Sequence, residues 1–137
     1  MRLVLDTNVL IAAFVARGVC HELLEHCQHC HELVTSARLL TEFEEKLKHK
    51  FKTPPDIVRE AKDLLGGHME RVIPSPLDRV VCRDPDDHWV LATAVVGRCG
   101  CIITGDKDLL ILKSFQDIVI LSPSEFWGYE AAQRNSG

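Results

Sequence analysis

Four acidic side chains, Asp6, Glu42, Asp87 and Asp106, fall where an alternating α/β chain gathers its reactive groups, and Asp108 lies two residues past the last of them. Asp6 closes the apolar run Leu3-Val4-Leu5, which is too short for a helix but suits a buried strand. Thr7 and Asn8 suit the cap of a following helix, so Asp6 sits at the carboxyl end of a strand, the edge where ligands collect in open α/β sheets. Asp106 leaves a second apolar strand through Gly105, and Asp87 lies in the first turn of the helix leading into that strand. Glu42 lies about two turns into another helix beside its apolar stripe; Glu44 flanks the other side, and spacing does not choose between them. Singly, each acid has an ordinary explanation as a cap, a turn former or a solvated face. Together, carboxylates from neighbouring strand ends repel and raise one another's pKa unless a cation sits among them. Mg²⁺ or Mn²⁺ suits an all-oxygen site, and would lower the pKa of bound water and offset charge on a phosphoryl oxygen. No Ser-His or Cys-His arrangement competes clearly.

The elements that must position these acids alternate along the chain. Residues 2–6 read as a first strand and 8–16 as a helix broken at Gly18. A second helix spans 19–30, with Cys20, Leu23, Leu24, Cys27 and Cys30 on one side. A strand over 32–35 precedes a helix over 37–51, capped by Ser36 and striped by Leu39, Leu40, Phe43 and Leu47. Thr53-Pro54-Pro55-Asp56 starts the next helix, which stops at Gly66-Gly67. A strand over 70–73 is ended by Pro74 and Pro76. Asp84-Pro85-Asp86-Asp87 supplies a cap, a proline and acids for a helix running to Gly97. Strands follow at 99–104 and 118–121, and Ser122-Pro123-Ser124-Glu125 is a capping-box start for the last helix. Residues 131–137 read as a flexible tail. The pattern predicts one domain over 1–137. It is a three-layer α/β/α sandwich of Rossmann-like type around a mainly parallel sheet of four to five strands, with the first and fourth strands at a topological switch.

The 137 residues suit a core of ordinary size, and no apolar run approaches a membrane span. The opening Met1-Arg2-Leu3 leads straight into a strand and lacks a signal-peptide pattern, so the expected location is the cytosol and the six cysteines are expected as thiols. A net charge of -4 excludes bulk attraction to nucleic acid. Any such partner needs a local basic patch or metal ions.

Four segments in order carry a resemblance. Leu5-Asp6-Thr7-Asn8-Val9-Leu10 looks like the opening motif of the PIN-domain nucleases. Ser36-Ala37-Arg38-Leu39-Leu40-Thr41-Glu42-Phe43 resembles their second motif, which selects Glu42. The segment from Asp84 to Ala94 resembles the third, with Asp87 as its acid. Ile103-Thr104-Gly105-Asp106-Lys107-Asp108-Leu109-Leu110 resembles the fourth, and Leu121-Ser122-Pro123-Ser124-Glu125-Phe126 fits the usual ending. The similarity spans essentially the whole chain. It implies a Rossmann-like fold, divalent-metal-dependent ribonuclease activity and often a homodimer. Small bacterial members of this kind resemble virulence-associated toxins paired with an antitoxin that blocks the site. On that resemblance, Asp6, Glu42, Asp87 and Asp106 hold one or two Mg²⁺ or Mn²⁺ ions that activate water for in-line attack on an RNA phosphodiester. Asp108 is a secondary ligand, and Thr7, Asn8 and Thr104 orient acids or water.

Lys46, Lys48, Lys50 and Lys52 form a basic run that suits either a helix end or a phosphate-steering rim, with Arg38 a further candidate for RNA contact. Cys27 and Cys30 have a C-x-x-C spacing amid His21, His26, His29 and His31, but no second C-x-x-C follows. Core packing is therefore the reading over structural zinc. Cys99 and Cys101 read as core, and Trp89 as core rather than a base-stacking platform. Phe126 and Trp127 read as anchors of the final helix or part of a dimer surface. Two other functions fit parts of the pattern: a non-catalytic RNA- or protein-binding module, and a haloacid-dehalogenase-like phosphatase. The latter needs Asp-x-Asp, where this chain has Asn8.

Overall fold

The computed structural model describes residues 1–16, 18–77 and 85–136. Strands β1 (Arg2–Leu5), β2 (Glu32–Ser36), β3 (Glu70–Val72), β4 (Cys101–Ile103), β5 (Ser114–Phe115) and β6 (Ile118–Leu121) form a sheet of order β3-β2-β1-β4-β6-β5. All pairings are parallel except β5 with β6. The chain leaves β1 towards β2 on one side and returns to β4 on the other, so β1 and β4 flank the topological switch. The sheet has one strand more than expected. The extra strand, β5, forms a hairpin with β6 around Gln116 and Asp117, both at positive φ, as a two-residue primed turn requires.

Seven helices cover the sheet among the described residues: α1 (Thr7–Val15), α2 (Val19–Cys30), α3 (Ala37–His49), α4 (Pro55–Gly67), α5 (Pro85–Val96), α6 (Lys107–Leu110) and α7 (Pro123–Ser136). Strand alternation divides the core. Leu3 and Leu5 of β1, with Cys101 and Ile103 of β4, pack with α1, α2, Phe43, Leu47, α4 and Phe126. Val4 and Ile102 point the other way, onto Val90, Leu91 and Ala94 of α5 and Leu109 of α6. That is the three-layer α/β/α arrangement.

Several expectations are corrected. The short α6 was not read from the sequence. Helix α7 extends to Ser136, into the segment read as a tail. Cys30 is exposed rather than on the buried side of α2, where Leu23, Leu24 and Cys27 supply the contact. The helix expected to run to Gly97 ends at Val96, and it is Arg98 that takes positive φ, while Cys99 N–H donates to the Ala94 carbonyl at 3.0 Å. Gly97 is needed for space, since a Cβ there would lie 2.6 Å from Val34 Cγ1. The capping box forms as expected: Glu125 N–H donates to Ser122 Oγ at 3.3 Å and Ser122 N–H to Glu125 Oε1 at 3.0 Å. The expected cap of α5, Asp84, lies outside the described residues. Among the described residues no single helix is long and apolar enough to cross a membrane. The five described cysteines are free thiols.

Candidate active site

The carboxyl ends of β1 and β4 meet as neighbours, with Asp6 N–H donating to the Ile103 carbonyl at 2.9 Å. Asp6 occupies the cap position of α1 but makes no side-chain cap bond. Its carboxylate is committed elsewhere: Thr104 Oγ1 donates to Asp6 Oδ2 at 2.7 Å. The same Thr104 oxygen accepts from Asp106 N–H at 3.0 Å. One fully buried hydroxyl thus ties the acid that ends β1 to the acid that follows β4. Asp106 Oδ1 in turn accepts from Asp108 N–H at 2.8 Å, which starts α6 and turns Asp108 back towards its neighbour.

Carboxylate oxygens of Asp87, Asp106 and Asp108 all lie within 4.8 Å of one another. Asp87 is buried in the first turn of α5, and Asp106 and Asp108 are half-buried. Asp108, expected as a secondary group, stands on equal geometric terms with Asp87 and Asp106. Asp6 and Glu42 form the adjoining part of the crevice. Burial pushes the Asp6 carboxyl above the usual aspartate range; the Thr104 hydrogen bond pulls it back, and the charge of Glu42 raises it again.

Lys46 Nζ sits beside this second group, 2.9 Å from Glu42 Oε1 and 3.1 Å from Asn8 Oδ1. Burial lowers its pKa, but the hydrogen bond and charge of Glu42, with the charges of Asp6 and Asp86, more than reverse this and raise it. Lys46 is therefore a counter-cation of the crevice rather than a free rim charge. Lys48 is held by Glu44 at 3.0 Å, on the far side of the α3 stripe, while Lys50 is exposed near Asn8 and Lys46. Arg38 stacks its guanidinium 4.2 Å from the centre of half-buried Trp89, so Trp89 is more than core filling. Among the described residues, Thr7 Oγ1 is buried without a hydrogen-bond partner, so the structure gives Thr7 no orienting bond through that hydroxyl.

The donor set suits a hard divalent cation. It is all oxygen, its members converge, burial and a like charge already strain Asp6, and Lys46 offsets part of the charge.

The PIN domain model matches residues 2–108, which contain all of these groups. The chain belongs to the PIN domain family. This PIN domain shares its fold with a chain of the crystal structure of VapBC2 from Rickettsia felis bound to a DNA fragment from their promoter. The two are 13% identical with a TM-score of 0.65, over 89% of this chain and 98% of that one. It also matches a chain of VapBC-1 from nontypeable Haemophilus influenzae at 18% identity and a TM-score of 0.64, over 90% of this chain and 99% of that one. No curated protein matches the sequence.

Thr104 links both halves of the PIN crevice, so Thr104→Val should leave the β4 packing intact while unpairing Asp6 Oδ2 and the Asp106 N–H. Outer groups of this kind are worth about 10–100-fold in metal affinity. Calorimetric titration with Mn²⁺ should show that loss, and unchanged affinity would remove Thr104 from the site.

Proposed function

We propose that this PIN domain is a Mg²⁺- or Mn²⁺-dependent endoribonuclease and the toxin half of a toxin–antitoxin pair. The observation that carries the reading is the convergence of Asp87, Asp106 and Asp108 beside buried Asp6 at one sheet edge. Asp6, Glu42, Asp87 and Asp106 would hold the metal, with Asp108 joining them. A bound divalent cation supplies an acidified water and offsets charge on a phosphoryl oxygen. The protein's own part is positioning. Thr104 fixes Asp6, the α5 and α6 starts present Asp87 and Asp108, and Lys46 balances Glu42. Arg38 and Lys50 offer cationic contacts for the phosphates of a single strand, with Lys46 and Lys48 behind them. Asn8 spends its side-chain oxygen on Lys46 and is no general acid, which argues against the aspartyl-phosphate route. The converging acids argue against an inert binding module.

The likeness to VapBC structures supports an antitoxin as partner. The surface offers it an apolar groove of about 630 Å³ between α1, α2 and α4, where Phe14 and Leu64 are 40% and 63% exposed. The family resemblance supports a homodimer as part of this proposal.

The test is cleavage of a panel of single-stranded and structured RNAs with Mn²⁺, Mg²⁺ or EDTA. Metal-dependent cutting that EDTA abolishes supports the reading. Absence of cutting across the panel by partner-free protein shown to bind Mn²⁺ would overturn the ribonuclease assignment.

A further inference from the structure

A second convergent donor set lies at the opposite edge of the sheet. His26 is in the last turns of α2, His31 follows that helix directly before β2, and Glu130 is on α7. His26 Nε2 and His31 Nε2 lie 2.6 and 2.5 Å from the same oxygen, Glu130 Oε2, and the three donor atoms fall within 4.8 Å of one another. The side chains are 22%, 10% and 7% exposed, respectively. We propose that His26, His31 and Glu130 form a zinc site that clamps α2 to α7.

The donor chemistry separates this set from the acidic crevice. Two imidazoles and one carboxylate are a borderline set that favours zinc, whereas Mg²⁺ and Mn²⁺ favour all-oxygen surroundings. Three protein ligands leave a fourth position for water. The rings are oriented by their surroundings: the His26 ring lies 4.8 Å from the Trp127 ring, and the His31 ring 5.8 Å from that of Phe126. Cys30 Sγ lies 3.7 Å from His26 Nδ1, and the Met1 amine 3.1 Å from His31 Nδ1, so each ring has a polar neighbour on its far nitrogen.

Without metal, each Nε2–H donates to Glu130 Oε2. On loading, each Nε2 gives up its hydrogen and becomes a ligand: His26 takes the hydrogen on Nδ1, facing Cys30 Sγ, and His31 takes it on Nδ1 as the Met1 ammonium that donates there releases one proton to solvent and accepts instead. Tetrahedral bonds of ~2.0–2.1 Å set donor atoms ~3.3 Å apart, so Glu130 and the rings separate by under ~1 Å. Cysteine does not supply the ligands, because Cys27 is fully buried in the core and Cys30 sits on the far side of the His26 ring. β1 alone separates the two sheet edges by ~13 Å, so this zinc is remote from the acids and its role is to tie α2 to α7.

The test uses untagged full-length protein, stripped with chelator and reloaded with one equivalent of Zn²⁺ under excess Mg²⁺. Expected after desalting are about one zinc per chain and a thermal midpoint raised by roughly 5–10 °C. Asp106→Asn should retain the zinc, and His31→Ala and Glu130→Gln should each lose it. Folded wild type that retains no zinc would overturn the proposal, as would zinc lost from Asp106→Asn but kept by His31→Ala. Should the histidine and glutamate variants fail to fold, Co²⁺ in the wild type decides. Strong tetrahedral bands without a thiolate charge-transfer band support the site, and weak octahedral bands or a thiolate band overturn it.

Discussion

Asp6→Asn should abolish metal-dependent RNA cleavage, by about 10³-fold, while making the metal-free protein more stable rather than less. The loss follows from removing one charged donor of a metal site, where charge stabilisation is worth several kcal/mol and each ~1.4 kcal/mol is tenfold in rate. The stability gain follows from burial and from Glu42, which together hold the Asp6 carboxyl above its ordinary pKa. Asparagine keeps an oxygen for the Thr104 hydroxyl, so the bond at 2.7 Å survives and the repulsion does not. The sign in pH is fixed. A carboxyl whose folded pKa is raised costs nothing below its unfolded pKa, where both states are protonated; the cost grows as pH climbs from the unfolded to the folded value and is constant above it. The thermal midpoints of wild type and variant, both metal-free, should therefore coincide in acid and diverge above the ordinary aspartate range, with the variant higher. Adding Mn²⁺ should raise the wild-type midpoint and leave the variant almost unmoved. Equal metal response in the two proteins would place the metal elsewhere.

Asp6 shows how much of the site is legible in the sequence. A short apolar run ending in Asp-Thr-Asn carries its own placement, because a buried strand and a capped helix leave the acid at the sheet edge. The switch between β1 and β4 then follows from the alternation of elements. The proximity of Asp108 to Asp87 and Asp106 has no clear sequence signal, because it depends on α6, a single turn started by the Asp106 carboxylate and too short to be periodic. The β5–β6 hairpin leaves little sequence signal for a related reason. Its turn is Gln116-Asp117 at positive φ, where the readable signature is Asn-Gly. Lys46 reads as a helix-end cation in sequence; its pair with Glu42 is an i,i+4 contact within α3, and the packing of α3 against α1 adds Asn8. His26, His31 and Glu130 could not be paired in advance. About a hundred residues separate the histidines from the glutamate, and the nearby cysteines offer a more familiar zinc pattern, whereas the described donor group contains no cysteine and Cys27 packs in the core.

The other large effect is expected from the core beneath the site. Phe43→Ala should lower unfolding free energy by about 3–5 kcal/mol, a large share of the roughly 5–15 kcal/mol that holds a domain together. Phe43 is fully buried, packs with Leu3, Leu5, Leu10 and Leu47, and meets the Phe14 ring edge-on at 6.2 Å between centroids. It stands next to Glu42 on α3, about 100° around the helix. One residue therefore faces the crevice while its neighbour anchors the helix. Truncation removes a ring that no exposed side chain can replace, because Leu39, Leu40 and Leu47 are already committed to the interior. The urea midpoint should fall with little change in slope, since the surface exposed on unfolding barely alters. Mn²⁺ should still raise the midpoint, because the carboxylates remain. Asp6→Asn and Phe43→Ala thus move stability in opposite directions and the metal response independently. A Phe43→Ala protein that lost under ~1 kcal/mol would mean that α3 is held by something other than this contact, and the position of Glu42 would need another cause.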